Sequence, residues 1–258
     1  MPPVLKEIKN NVAIVTLNRP EKFNSFNREM ALLLQTILDE CNTDEEVRCV
    51  LITGNGKAFS AGQDIGELTG ENAVGMDKIL PEHFNPIIKK IRGLHKPVVC
   101  AVNGVAAGAG ANIALCCDIV LAASSASFIQ AFSKIGLIPD SGGTFFLPRL
   151  IGFQKASALM MTGDKVTAAE ADKLGMVYKV IDDANFASEC FAVAENLAQM
   201  PTKGLFFTKL ALTHSMDRSL EEQLREEEIL QQKAGATADY AEGIAAFLEK
   251  RKPVFKGK

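Results

Sequence analysis

Apolar residues recur along this chain in two alternating periods as far as about residue 182, and in one period after it. Short runs at Val4 to Ile8 and Val12 to Leu17 flank Lys9-Asn10-Asn11 and predict a hairpin. Met30, Leu33, Leu34, Ile37, Leu38 and Cys41 share one face of a helix expected over about Asn27 to Cys41. Val47 to Ile52 reads as a buried strand. It runs into a glycine-punctuated turn, Thr53-Gly54-Asn55-Gly56 through Ala61-Gly62-Gln63-Asp64-Ile65. Gly66 to Pro81 is polar, weakly patterned and expected to be mobile. Asn85-Pro86 reads as a cap plus first-turn proline for a helix with Ile87, Ile88, Ile91 and Leu94 on one face.

The strand Val98 to Val102 then meets Asn103-Gly104. After it, the small-residue run Ala106 to Ala111 is expected to open an apolar helix. Further on, Phe145 to Leu150 and Lys155 to Met161 read as helices. Thr167 to Glu170 reads as a capping box for a short helix closed by Gly175, and Met176 to Ile181 as the last strand. From Asn185 the pattern is helical only. Phe186, Cys190, Val193 and Leu197 share a face, Ser219 to Glu222 caps a further helix, and Tyr240, Ile244, Phe247 and Leu248 line the last. Alternation followed by helices alone predicts an α/β core with a helical C-terminal extension.

Composition narrows the function classes. The 258 residues suffice for one substantial core, and 23% charged residues with a formal charge of −3 give no basic surface for nucleic acid. Six cysteines without CxxC spacing read as small buried hydrophobes in a reducing compartment. Nothing resembling a secretory leader precedes the first strand, and no apolar run approaches the ~20 residues of a membrane span, so a cytoplasmic protein is expected.

Two strand-to-helix turns carry amides without intrahelical partners, one near Gln63 and one near Ala109. Aimed at one point they would form an oxyanion hole; otherwise such glycines serve tight packing. Asp140, in Pro139-Asp140-Ser141-Gly142-Gly143-Thr144, is either a base desolvated by Phe132, Ile135, Leu137, Ile138, Phe145 and Phe146 or simply the N-cap of the next helix. The three histidines, His83, His95 and His214, fall outside the glycine-rich turns and read as surface or helix-end residues. There is no G-x-S-x-G elbow, no H-E-x-x-H and no phosphate loop.

Four motifs in order, Asn18-Arg19-Pro20, Ala61-Gly62-Gln63-Asp64-Ile65, Asn103 to Gly110 and Pro139 to Thr144, resemble the enoyl-CoA hydratase/isomerase (crotonase) superfamily. The resemblance covers essentially the whole chain. It implies a crotonase-type α/β spiral of ββα units over residues 1–195 and a helical C-terminal oligomerisation region over 196–258. A homotrimer or dimer of trimers is implied, and no cofactor, coenzyme A being part of the substrate. It implies a thioester carbonyl held by the amides of Gln63 and Ala109, with Asp140 as base. Coenzyme A would rest near Lys22, Phe23, Asn24, Ala61, Asp64 and Ile65, with Phe247 and Lys250 reaching its phosphates from a neighbouring subunit.

Hydratases of the family carry two glutamates; the matching positions here are Asn112 and Phe132. One carboxylate in a dry site suits an isomerase, carrying out the rearrangement of a ring epoxide of phenylacetyl-CoA to an oxepin, a Δ3-to-Δ2 enoyl-CoA shift, or both. A hydratase would need a further carboxylate such as Glu67 or Glu82. A non-catalytic member that binds RNA or a protein partner is the third reading; the acidic balance argues against RNA, and failure to bind any acyl-CoA would be its signature.

Overall fold

The computed structural model describes residues 1–69 and 73–258. The strands are β1 (Val4–Lys9), β2 (Val12–Leu17), β3 (Cys49–Gly54), β4 (Ala58–Ser60), β5 (Val98–Val102), β6 (Val105–Ala107), β7 (Ile119–Ala123), β8 (Ser127–Ile129), β9 (Lys165–Thr167) and β10 (Lys179–Ile181). Helices of the core are α1 (Arg28–Thr43), α2 (Met76–Lys78), α3 (Asn85–Gly93), α4 (Ala109–Leu115), α5 (Gly143–Ile151), α6 (Phe153–Thr162), α7 (Ala168–Lys173) and α8 (Phe186–Ala198). Three more follow, α9 (Thr202–His214), α10 (Leu220–Gly235) and α11 (Ala238–Leu248).

The strands divide between two sheets in a way that makes the spiral. A six-stranded sheet runs β1-β2-β3-β5-β7-β10 and a four-stranded sheet runs β4-β6-β8-β9. The pairs β3–β4, β5–β6 and β7–β8 each place one strand in each sheet, so successive units stack beside one another in parallel. Among the described residues only β1–β2 and β8–β9 pair antiparallel. The bend between sheets is sutured by Asn103, whose Oδ1 accepts from the Gly54 amide at 3.0 Å and whose Nδ2 donates to the Gly56 carbonyl at 3.0 Å. Strand β5 is buried along its whole length, as its unbroken Val-Val-Cys-Ala-Val run requires of a central parallel strand.

The expected hairpin and first helix form, with the Asn27 side chain capping α1 through the Met30 amide. The small-residue run divides: its first residues close β6, and α4 begins only at Ala109. The last strand contracts to Lys179–Ile181, and Thr167 caps α7 through the Glu170 amide without the reciprocal glutamate bond. Pro86 does not start a helix from a side-chain cap. A π-helical turn over Ile79–Phe84 leads directly into α3, its wider ring matching a proline that has no amide to donate. Of the stretch Gly66 to Pro81, residues 70–72 lie outside the described residues; Val74 donates its amide to the Glu67 carbonyl across them at 2.9 Å.

All six cysteines are buried free thiols. Among the described residues no helix is long and apolar enough to cross a membrane. The buried face of α8, Phe186, Cys190, Ala194 and Ala198, joins the main core. Beyond it the apolar residues of α9 to α11 are largely uncovered, Leu212, Leu224, Tyr240, Phe247 and Leu248 among them. The C-terminal tail folds back on the core, where Arg48 donates to the Phe255 carbonyl at 2.8 Å. The Asp239 carboxylate fastens the same tail through the Lys256 and Gly257 amides.

Candidate active site

Strands β4 and β6 are parallel, with Ala58 opposite Val105 and Ser60 opposite Ala106, so the chain leaves both at the same end. The two glycine turns therefore meet. After β4, Phe26 holds the turn from one side: its amide donates to the Gly62 carbonyl at 2.7 Å and its carbonyl accepts from the Asp64 amide at 2.8 Å. Extended backbone alternates its groups, so the Gln63 N–H faces away from Phe26. After β6, Gly108 takes φ 52° and ψ −127°, a combination closed to residues with a side chain, and turns the Ala109 N–H out of the strand. Among the described residues neither the Gln63 nor the Ala109 amide donates to a protein acceptor. The turns lie close: a β-carbon on Gly62 would stand 2.8 Å from the Ala107 oxygen and 3.3 Å from the Ala109 nitrogen.

Asp140 is fastened to α4 at Asn112, one helical turn after Ala109. The Asn112 side chain donates from Nδ2 to the Asp140 carbonyl at 2.8 Å, and the Gly143 amide donates to the same oxygen at 2.9 Å. Asn112 Oδ1 accepts in turn from Gln130 Nε2 at 2.8 Å. The buried Asn112 is thus a clamp on the Asp140 backbone. Gln130 carries no sequence signal that would have marked it. Asp140 does not cap the next helix; that position is Gly142, in left-handed conformation, with no side-chain bond. Ser141 is also left-handed, with φ 51°, a conformation that costs a non-glycine residue about 1–3 kcal/mol. It turns the chain so that its hydroxyl donates to Asp140 Oδ1 at 2.8 Å. Burial raises the Asp140 carboxyl above the ordinary aspartate range, and the Ser141 bond offsets part of that rise.

The expected apolar wall is only partly present. Phe132 is buried against Gly108, and Phe146 packs on Gly142 and edge-to-face on Phe145, ring centres 5.1 Å apart. Ile135, Leu137 and Ile138 are exposed, Ile138 at 81%, because nothing among the described residues covers the end of the 3-10 turn at Ala131–Ile135 and the segment after it. Replacing Asn112 by Ala leaves the buried Gln130 amide without its acceptor and the Asp140 carbonyl with the Gly143 amide alone. Urea unfolding should show a loss of about 1–3 kcal/mol.

The family model described as enoyl-CoA hydratase/isomerase matches residues 7–258. The chain belongs to that family. It is 45% identical over 259 residues to the 1,2-epoxyphenylacetyl-CoA isomerase of Escherichia coli K12, covering 99% of this chain and 98% of that one. It is 36% identical over 260 residues to the trans-2-decenoyl-[acyl-carrier-protein] isomerase of Streptococcus mutans, covering 99% and 98%. The crystal structure of an enoyl-CoA hydratase from Bacillus anthracis superposes with a TM-score of 0.93 at 32% identity, covering 99% and 100%. The fold is therefore the crotonase fold, and the protein is an enzyme of the CoA-thioester hydratase/isomerase class.

Of the residues that this family assigns to coenzyme A, the structure gathers some and not others. Lys22, Phe23 and Ala61 form one exposed cluster, tied by the Ala61 amide to the Phe23 carbonyl at 2.9 Å, and Ile65 is exposed four residues further on. Asn24 is fully buried. Its side chain accepts from the Arg19 amide and donates to the Asn55 and Ala58 carbonyls, so it shapes the loop and offers no free group. Asp64 is also committed, paired with Arg19 at 2.9 Å and accepting from the Gly66 amide at 3.0 Å. Phe247 and Lys250 sit at the exposed C-terminal end of α11, and among the described residues no hydrogen bond joins them to the cluster.

The histidines differ from expectation in one case. His95 is exposed and His214 pairs with Glu226 at 2.9 Å, but His83 is wholly buried. Its Nε2 lies 3.2 Å from Arg28 Nη1, and burial lowers its pKa. The π-helical turn rotates it inward, which periodicity counted at 3.6 residues could not foresee.

Proposed function

We propose that this enzyme is a CoA-thioester isomerase with Asp140 as its single base. The observation that carries this reading is a desolvated carboxylate whose main chain is clamped by Asn112, one helical turn after the unengaged Ala109 amide, in a chain where Asn112 and Phe132 replace the pair of glutamates of hydratases. The Gln63 and Ala109 amides hold the thioester oxygen as Asp140 removes a proton next to the carbonyl. The enolate forms against donors that need no reorganisation. Phe132 keeps water from the acyl group, and the proton returns elsewhere along the conjugated system. The 45% identity to an epoxyphenylacetyl-CoA isomerase favours a ring epoxide as substrate and an oxepin as product. A Δ3-to-Δ2 enoyl shift uses the same groups. The reaction needs no prosthetic group.

The uncovered faces of α9 to α11 fit a homotrimer, singly or as two stacked trimers, in which residues 196–258 lend Phe247 and Lys250 to a neighbour's coenzyme A. The six thiols fit a reducing cytoplasm. Hydration is the second reading, favoured by relatives named enoyl-CoA hydratase. Against it, Glu82 pairs with Arg28 and Glu67 accepts from the Arg28 amide.

A panel of 2-enoyl-, 3-enoyl- and epoxyphenylacetyl-CoA with product mass spectrometry tests the reading. Isomerised products support it. Solvent ¹⁸O in a 3-hydroxyacyl-CoA as the main product overturns it. The Asp140 base also sets a pH dependence: activity requires the ionised carboxylate, so kcat/KM should fall as pH drops through its pKa. Since burial raises that pKa, the midpoint should lie above that of a solvated aspartate.

A further inference from the structure

Gln63 is held by more than its own backbone. Its side-chain Nε2 donates to Glu67 Oε2 at 3.2 Å and to the Asp64 carbonyl at 3.2 Å. Both oxygens of Glu67 accept from the Arg28 amide, at 2.9 and 3.1 Å. That amide is the first of α1, one of the donors a helix cannot satisfy internally, and a carboxylate there is favoured by the helix dipole. The side chain of Arg28 continues the network, pairing with Glu82 and meeting His83 Nε2. Phe26, which sutures the Gln63 turn through its backbone, lies just before α1 and packs edge-to-face on Phe84, ring centres 5.8 Å apart. One short segment therefore grips the turn twice, through Phe26 on the backbone and through Glu67 on the side chain.

We propose that Glu67 is a positioning residue for the reaction: it locks the Gln63 turn to the N-terminus of α1 and so fixes the direction of the Gln63 N–H. It touches no reacting atom, and it is not the missing base of a hydratase, since its oxygens are already engaged. This inference rests on Gln63 being an oxyanion donor. A donor aimed at the thioester oxygen matters more in the transition state than in the ground state, so loosening it lowers kcat and leaves KM nearly alone.

The test compares Glu67→Ala, Glu67→Gln and Asp140→Asn in the full-length enzyme, using a 3-enoyl-CoA followed to the 2-enoyl product. Glu67→Ala should lower kcat about 10- to 100-fold with KM within about threefold, the size expected when a donor is misdirected rather than removed. Glu67→Gln should restore most of that loss. Its oxygen can accept from the Arg28 amide, and its NH₂ can donate to Gln63 Oε1, a buried atom that has no hydrogen-bond partner among the described residues. Urea unfolding of each variant separates a helix effect from a site effect. The proposal is overturned if Glu67→Ala keeps its kcat, if only KM or only stability changes, or if Glu67→Gln is as impaired as Glu67→Ala. Asp140→Asn reports on the underlying reading: should it retain full activity, the isomerase assignment fails, whatever Glu67 does.

Discussion

Asp140→Asn is expected to lower kcat for isomerisation by about 10³-fold, within the range that a positioned base contributes. The amide has the size of the carboxylate and still accepts the Ser141 hydroxyl at the same oxygen. The Asn112 and Gly143 bonds go to the main-chain carbonyl and are untouched by the change. The variant should therefore fold normally and bind acyl-CoA, while having no group able to take a proton. Relief of a buried charge predicts equal or slightly higher stability at neutral pH. A carboxyl whose folded pKa is raised opposes folding once pH exceeds its unfolded value, and the amide removes that penalty. Single-turnover kinetics with a 3-enoyl-CoA, alongside urea unfolding, reads both effects. A rate within tenfold of the parent enzyme would place the base elsewhere.

The elements that the sequence made legible are those whose pattern is local. The β1–β2 hairpin, α1 and the Ser219–Glu222 capping box of α10 all follow from neighbouring residues, and all are present. The two-sheet spiral is not local. It depends on which strand each half-unit pairs with, and nothing within Ala58–Ser60 or Val105–Ala107 says that these three-residue strands meet each other. The same limit applied at the site. Gln63, Ala109 and Asp140 could be singled out by motif, yet the clamp between Asn112, Gln130 and Asp140 spans elements far apart in the chain. Composition misled where a stretch was judged by residue type alone: Ile135, Leu137 and Ile138 look like a pocket wall but are exposed among the described residues. The side chains of Asn24 and Asp64, singled out by resemblance, are engaged inside the loop.

Gly62→Ala should cripple the reaction although it removes no functional group. Gly62 holds φ at +88°, where an added side chain is strained whatever room it finds. Here there is no room: the new β-carbon would stand 2.8 Å from the Ala107 oxygen and 3.3 Å from the Ala109 nitrogen. These atoms belong to the facing turn, so relief of the clash must move the two turns apart or rotate one amide. Either movement takes a donor off the thioester oxygen. Losing one such donor costs about 10²–10³ in kcat, and that is the loss expected, with KM changing little. Gly175→Ala separates strain from misalignment. Gly175 also has positive φ, +73°, but its nearest foreign atom would be 3.8 Å from the added carbon and it follows α7, away from the turns. Both variants should lose about 1–3 kcal/mol of stability from backbone strain. Only Gly62→Ala should also lose the red shift that a hydrogen-bonded carbonyl imparts to a bound conjugated enoyl-CoA. Equal kinetic losses in the two variants would mean that the hole is not built from these turns. A loss confined to Gly62→Ala, with its spectral change, ties the chemistry to the pair of amides that parallel pairing of β4 and β6 brings together.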